Sequence, residues 1–403
     1  MPLLVAEFVV WLGFGGLLPV LPLYFTQQGV DLSTLGVVVA AWPAARLISE
    51  PVFGWLADRT ARVPLMVIGL LVTGLFGLLP LVLTGPLAFV ILRAGAGLGA
   101  AIYDPAARGY LTDATPPDRR GEAFGLYGSA QMGGLLLGPA IGAVGADALG
   151  GIGFVFVFSA VTAAIAAAAV AVRVREPVAR RRASPAVAGE HTAVVRSEAP
   201  TRLFNRALVA ALVINLAASF ASGTYEVVWS LFLQGLGGSL TLIGLTFAMF
   251  GLPVLVLSPI TGRMVDRRGS FAFVVIGGLL PAVAGVLYTF LVDPWLAVPL
   301  ILIEATGFAF LTPALYAVVA ANSPVDRSST TQGLFGASGT LGFIVASLVA
   351  GVLAERSILY PFYVFSTVMI CGLVLGLLIG GSRLGFRSGQ RGPAPAGDSA
   401  SVA

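Results

Sequence analysis

Residues 1–142 realign without a gap on the second half of the chain when 208 is added to each number. Gly54, Asp58 and Arg59 fall on Gly262, Asp266 and Arg267, and Pro105 falls on Pro313. The run Pro116, Asp118, Arg119, Gly125, Leu126, Gly128 falls on Pro324, Asp326, Arg327, Gly333, Leu334, Gly336. A duplicated chain folds as two like units. Both units are hydrophobic and share their loop chemistry, the pattern of a transporter built from two parallel repeats with its substrate site between them.

What those units dissolve in follows from what they can bury. With 57% hydrophobic residues, 10% charged residues and a mean hydropathy of +0.95, the 403 residues lack the polar surface of a water-soluble globule. The chain reads as an all-α integral membrane protein. A pI of 9.5 would suggest nucleic acid in a soluble protein, but here the basic charge sits in short loops, where it sets topology. No basic tract with interleaved aromatics is present, so no nucleic-acid partner is expected. Cys371 is the single cysteine, which excludes internal disulfides and cysteine-rich metal sites. Lysine is absent and all 23 basic residues are arginine, which removes a G-x-x-x-x-G-K-[ST] phosphate loop. The lone histidine, His191, lies in a polar stretch, so H-E-x-x-H is absent as well. Neither a metal nor a cofactor is expected.

About twelve apolar segments have the roughly 20 residues needed to cross a bilayer. They cover 3–26, 34–56, 64–83, 86–107, 122–145 and 151–172, then 207–233, 242–264, 271–291, 295–318, 332–353 and 358–380. The spacing predicts a six-helix bundle over 1–172, a linker over 173–206, a second six-helix bundle over 207–380 and a disordered tail over 381–403. The linker carries Arg180, Arg181, Arg182, Glu190 and His191 among Ala, Pro and Ser, and the tail has nothing to bury.

Arginine placement orients these spans. Arg46 and Arg93 lie inside apolar segments and Arg356 in one set of loops, while all the others lie in the opposite loops, the linker or the tail. By the positive-inside rule the rich side is cytoplasmic, so both termini and the linker are expected there, as an even number of crossings requires. The first apolar run has no basic region before it and continues for a full span, unlike a cleavable signal peptide. It opens almost at Met1, an unusual beginning that leaves an earlier start open.

Between the second and third spans, Gly54-Trp55-Leu56-Ala57-Asp58-Arg59-Thr60-Ala61-Arg62 resembles the G-x-L-a-D-r-x-G-r-k signature of the major facilitator superfamily. Gly262-Arg263-Met264-Val265-Asp266-Arg267-Arg268-Gly269 is its second copy, and the resemblance covers essentially the whole chain. A physical reading stands beside it: the glycine lets two helix ends approach, and the acid and arginine form a charge-assisted latch in a cytoplasmic seam, holding one conformation closed. Gly54, Asp58, Arg59, Arg62, Gly262, Asp266 and Arg267 are the gate candidates. The first copy has Ala61 where glycine is usual and Val63 where a basic residue is usual. The fold implied is two pseudo-symmetric six-helix bundles.

Leu12-Gly13, five residues, then Pro19-Val20-Leu21-Pro22 resembles the first-helix signature of twelve-helix drug/proton antiporters. Gly125, Gly134, Gly138, Pro139 and Gly142 reproduce the G-x8-G-x3-G-P-x2-G pattern associated with exporters of this superfamily. Glycines four apart make a flat stripe for close helix approach, and Pro139 permits a bend. The second repeat has Ala346 and Ser347 in place of Gly138 and Pro139, an asymmetry that points to a functional stripe in the first half; ordinary small-residue packing is the alternative.

An ionisable group inside a membrane costs at least about 2.5 kcal/mol, so each one is a site candidate. Arg93 with Gly97, Gly99, Ala100 and Ala101 looks like the fourth-helix R-x-x-q-G-x-g-a-a motif, with Ala96 replacing the usual glutamine; the resemblance implies that the arginine transfers protons or tunes a carboxylate. Asp104 shares its helix face, as a cavity-wall, cap or gate residue. Arg46 and Glu50 can pair at i and i+4. Glu226 and Glu304 stand alone in apolar helices at similar depth, and a carboxylate there can load and release a proton as access alternates. Glu226 is the first choice, with Tyr225 and Trp229 as an aromatic wall for a lipophilic or cationic substrate; Glu304, with Phe308 one turn on, is the second. Pairing of either acid with Arg46 or Arg93 is the alternative.

These readings combine into a proton-coupled secondary transporter of the plasma membrane, a monomer exporting a small amphipathic or lipophilic drug or secondary metabolite by alternating access. The proton gradient supplies the energy. Export or symport of a specific metabolite, sugar or lipid is the alternative; a sugar would need more polar groups than the few around Asn215 and Gln131. From other classes, a non-transporting sensor or scaffold remains, because a fold alone does not prove turnover. Gly336-Ala337-Ser338-Gly339 matches a G-x-S-G protease string, but no span holds a histidine to act as base, so an enzyme is not expected.

Overall fold

The computed structural model describes residues 2–116, 119–149, 151–176, 204–323, 328–381 and 384. Those residues form thirteen α-helices and no strand. In the first half these are α1 (Pro2–Leu17), α2 (Leu21–Gln27), α3 (Leu32–Arg59), α4 (Arg62–Leu78), α5 (Pro86–Ala114), α6 (Arg120–Ala148) and α7 (Gly153–Arg173). The second half has α8 (Arg206–Gly235), α9 (Leu240–Arg268), α10 (Phe271–Tyr288), α11 (Ala297–Asn322), α12 (Ser328–Ala354) and α13 (Tyr360–Gly380). Most of the linker at 173–206 and of the tail at 381–403 lies outside the described residues.

Among the described residues ten helices are long and apolar enough to cross a membrane, and α1 with α2 makes an eleventh, bent by 43°. The expected continuous span at 3–26 is broken because Pro19 and Pro22 remove backbone donors at its centre. The expected span at 122–145 is α6, which is not among those ten but whose 29 residues cover the distance. On the outer surface Ile68, Leu71 and Leu75 of α4, Val157, Val161 and Ile165 of α7, and Ile276, Leu279 and Val283 of α10 are exposed at helical spacing. Those rows face lipid.

The 208-residue offset relates the contacts as well as the sequences. The halves meet along two seams, α3 with α12 and α6 with α9, and α3 and α6 are the repeat partners of α9 and α12. A Cβ placed on Gly36 would lie 2.4 Å from the Ser347 carbonyl oxygen and 3.2 Å from Gly351 Cα. Its partner Gly244 would meet the Pro139 oxygen at 2.6 Å and Ala143 Cβ at 2.5 Å. Hydrogen bonds repeat the pattern: the Ser33 N–H donates to Glu355 Oε1 at 3.2 Å and the Thr241 hydroxyl to Asp147 Oδ2 at 2.5 Å. One contact is thus used twice to close one end of the molecule.

At the opposite, arginine-rich end the halves stand apart. Cβ atoms on Gly125, Gly128, Gly262, Gly333 and Gly336 would meet nothing within 4 Å, and one on Gly54 only Pro105 at 3.8 Å.

Helix starts at the closed end are capped in both repeats. Asp31 accepts from the Thr34 N–H at 2.8 Å, and Ser239 from the Leu242 N–H at 3.2 Å. Hydrogen bonds from the Ser33 hydroxyl, then from the Thr34 backbone and hydroxyl, hold the Asp31 carboxyl well below the usual carboxylate range. That cap is therefore fully formed above the unfolded value of about 4 and is lost only as pH falls through the lower folded value. Asp31→Ala is expected to cost about 1 kcal/mol, read as a lower melting temperature at pH 7 and a smaller difference in strong acid.

Candidate functional site

Between the seams lies a cavity of about 530 Å³ that opens toward the arginine-rich end. Trp11, Phe14 and Trp42 line it from the first half, and Tyr225, Trp229 and Phe250 from the second. Its polar groups are few: Arg46, Glu226 and Glu304, the hydroxyls of Ser219, Ser222 and Thr340, and that of Tyr225.

Glu226 and Arg93 form an ion pair that bridges the halves, with Arg93 Nη2 2.8 Å from Glu226 Oε1 and side-chain exposures of 7% and 12%. Arg93 stands seven residues from the start of α5 and Glu226 nine from the end of α8, so the pair lies roughly 10–14 Å below the closed end at 1.5 Å per residue. Both residues were expected in the site; their pairing realises the alternative in which an acid finds an arginine.

Glu304 is held differently. The hydroxyls of Tyr225 and Tyr288 donate to its two oxygens, each at 2.7 Å. Tyr225 and Tyr288 in turn pack with Trp229 and Phe362, the Tyr225 and Trp229 ring centroids being 5.6 Å apart. The Trp229 indole N–H donates to the Thr246 hydroxyl at 2.9 Å, which fixes the ring.

A second charge cluster lies in the wall of the first half. Arg46 pairs with Asp104 and, at 3.6 Å, with Glu50; Arg108 stands 3.6 Å from Glu50 and 4.0 Å from Asp104. Two arginines and two carboxylates leave it neutral. The Arg46 guanidinium also lies 4.9 Å over the Trp42 ring, so its exposed face is part aromatic.

Not every cavity candidate reaches the cavity. Glu50 and Asp104 sit behind Arg46, Phe308 packs behind Phe250 with centroids 5.6 Å apart, and Gln131 is turned toward α1. Gly134, Gly138 and Gly142 face α1, where added Cβ atoms would fall 2.4–2.8 Å from the Phe8 and Leu12 oxygens and Gly16 Cα. Gly342 meets the Leu216 oxygen of α8 at 2.2 Å in the same way, so close packing of first and fifth spans belongs to both halves.

Among the gate candidates, Arg62 gathers the charges: Asp113 at 3.2 Å and Asp58 at 3.4 Å. Glu176, just past α7, accepts from the Arg62 and Val63 N–H groups and so caps α4 from a distance. Arg59 instead stacks 4.0 Å over Trp55. In the second copy Gly262, Asp266 and Arg267 lie at the exposed end of α9, which Gly269 terminates at φ +87°; the first copy turns through Thr60 and Ala61 in extended backbone and needs no glycine there.

Glu7 was not among the expected residues. Fully buried in α1, it accepts from the Trp11 indole at 2.9 Å, the Tyr103 hydroxyl at 2.5 Å and the Gln131 amide at 2.5 Å. The rule that singled out Glu226 and Glu304 applies to it equally.

Comparison with known proteins agrees with this architecture. The family model described as Major Facilitator Superfamily matches residues 3–303 and 211–396. Multidrug resistance protein 2 of Bacillus subtilis (strain 168) is 28% identical over 381 residues, covering 92% of each chain. Quinolone resistance protein NorA of Staphylococcus aureus (strain COL) is 23% identical over 379 residues, covering 92% of this chain and 94% of that one. The crystal structure of a nucleoside transporter, NupG, superposes with a TM-score of 0.77 at 13% identity over 94% of this chain and 98% of its own, a likeness of fold.

Proposed function

The chain belongs to the major facilitator superfamily and is a secondary transporter of small molecules, not an enzyme; on that premise we propose that it is a proton-coupled exporter of lipophilic or amphipathic compounds, cations above all. The observation that carries this reading is the Arg93–Glu226 pair, which ties the two halves together beside an aromatic cavity that Glu226 itself lines. Drug-resistance relatives support it.

The cycle follows from competition for one carboxylate. With the arginine-rich end taken as cytoplasmic, a cation enters from the cytoplasm, lies against Trp229 and Tyr225 and draws Glu226 away from Arg93. Loss of that attraction frees the glycine seams to part and the opposite end to close. On the far side a proton neutralises Glu226, the cation leaves, and the halves return; release of that proton inward restores the pair. Energetics allow it: one proton moving down 100 mV supplies about 2.3 kcal/mol, against about 1.4 kcal/mol per tenfold gradient of a neutral substrate. A sugar would find only a few hydroxyls in this wall. The protein then works as a monomer in the plasma membrane with both termini inside.

Purified protein in proteoliposomes with an internal pH dye tests the reading. Ethidium or another lipophilic cation is expected to move protons in the opposite direction; no proton movement with lipophilic cations, antibiotics or sugars, in folded protein, would sink it. Glu50→Gln is expected to leave this exchange within about twofold while lowering yield, because Glu50 only flanks the Arg46–Asp104 pair and is one-third exposed. A lost exchange with normal yield would move Glu50 into the coupling machinery.

A further inference from the structure

We propose that Glu7 is a second proton-binding carboxyl, in the half opposite Glu226, and that one monovalent cation is therefore exported against two protons. This rests on the exporter reading above. Its basis is a comparison that the internal repeat supplies. Adding 208 to Glu7 gives Asn215, and the two do the same mechanical job: each ties the first span of its half to the fifth. Asn215 donates from Nδ2 to the Phe335 oxygen at 2.8 Å and the Ser338 hydroxyl at 3.0 Å on α12, while Glu7 holds Gln131 on α6 and Tyr103 on α5. A neutral amide suffices for the tie. An acid at the equivalent place brings the expense of an ionisable group inside a membrane, which marks a functional position.

The surroundings fit a proton and nothing larger. Glu7 is fully buried, its Oε1 already faces Trp11 and Gln131 and its Oε2 faces Tyr103, so neither a metal ion nor a drug can enter. Among the described residues no arginine pairs with it, in contrast to Glu226, Asp104 and Asp58. The ionisable groups nearest it are Tyr103, Asp104 and Arg108 of α5 and Tyr127 of α6, with Asp104 engaged by Arg46 of α3. A proton added at Oε2 makes an acid O–H that Tyr103 accepts by reversing its hydroxyl from donor to acceptor. Tyr127, one helical turn before Gln131, is buried with its hydroxyl directed at Glu7.

Glu7 also has a line to the cavity. Trp11 lines the chamber and donates to Glu7, as Tyr225 lines it and donates to Glu304. A substrate that shifts either ring withdraws a donor from the carboxylate behind it.

Exchange of a monovalent cation for one proton moves no net charge, so membrane voltage cannot drive it; a second proton makes the exchange electrogenic, worth about fifty-fold in accumulation per 100 mV. The test uses full-length protein in proteoliposomes with ethidium as the probe. A valinomycin potential is imposed at zero pH gradient, then a pH gradient at zero potential. Wild-type protein is expected to respond to both with two protons per cation, and Glu7→Gln to keep the pH response, lose the voltage response and fall to a ratio of one. A voltage response unchanged in Glu7→Gln overturns the inference, as does a wild-type ratio of one, which settles the matter even where the variant fails to fold. A wild-type protein that answers neither force overturns the exporter reading and this inference with it.

Discussion

Glu226→Gln is expected to abolish uphill export, with a fall of at least about 100-fold in the accumulation ratio of a lipophilic cation. Two effects add. The carboxylate that substrate and proton exchange on is gone, and Arg93, 7% exposed, is left in the protein interior without its partner. Removing one member of a buried pair costs about 3–5 kcal/mol, which shifts an equilibrium between conformations by roughly two to four powers of ten. The state closed along Gly36 and Gly244 should therefore be depopulated. Arg93→Gln on top of Glu226→Gln separates the effects: conformational balance recovers and uphill export does not. Full export by Glu226→Gln alone would end the assignment.

Gly36→Leu is expected to stop turnover altogether while leaving each half folded. The new side chain has no room, since its first carbon already meets the Ser347 oxygen at 2.4 Å and backbone does not yield. The α3–α12 seam would be wedged and the protein held away from the conformation described. Cysteine pairs report this directly in a Cys371→Ser background. Ser33→Cys with Glu355→Cys, neighbours through the Ser33 N–H bond, should cross-link with Gly36 in place and fail with leucine. Efficient cross-linking in the leucine variant would show that the seam tolerates bulk.

How far the sequence reaches is clear from these same residues. The offset of 208 places the helices of the second half, because equal letters at equal spacing break and cap chains in the same way: α5 with Pro86–Ala114 and its counterpart with Pro294–Asn322 differ by 208 at both ends. Glu226, Glu304 and Arg93 were visible because a charge in an apolar run is a local fact. That Arg93 meets Glu226 and not Glu304 was not visible, since it depends on how two helices 133 residues apart slide against each other. Nor was the closed end legible. Gly36 in a tight seam and Gly54 facing open space are the same letter in the same helix, and packing alone tells them apart. Glu7 is as legible as Glu226, a lone acid in an apolar run, and only its partners on α5 and α6 show that it is buried.

The chamber of about 530 Å³ between Trp11 and Trp229 has to shrink at its open mouth whenever the opposite end parts. This sets a length rule for inhibitors. A molecule whose cationic head settles by Glu226 and whose rigid tail extends past the mouth would be admitted as cargo and then act as a doorstop, keeping the halves splayed at the end from which it came.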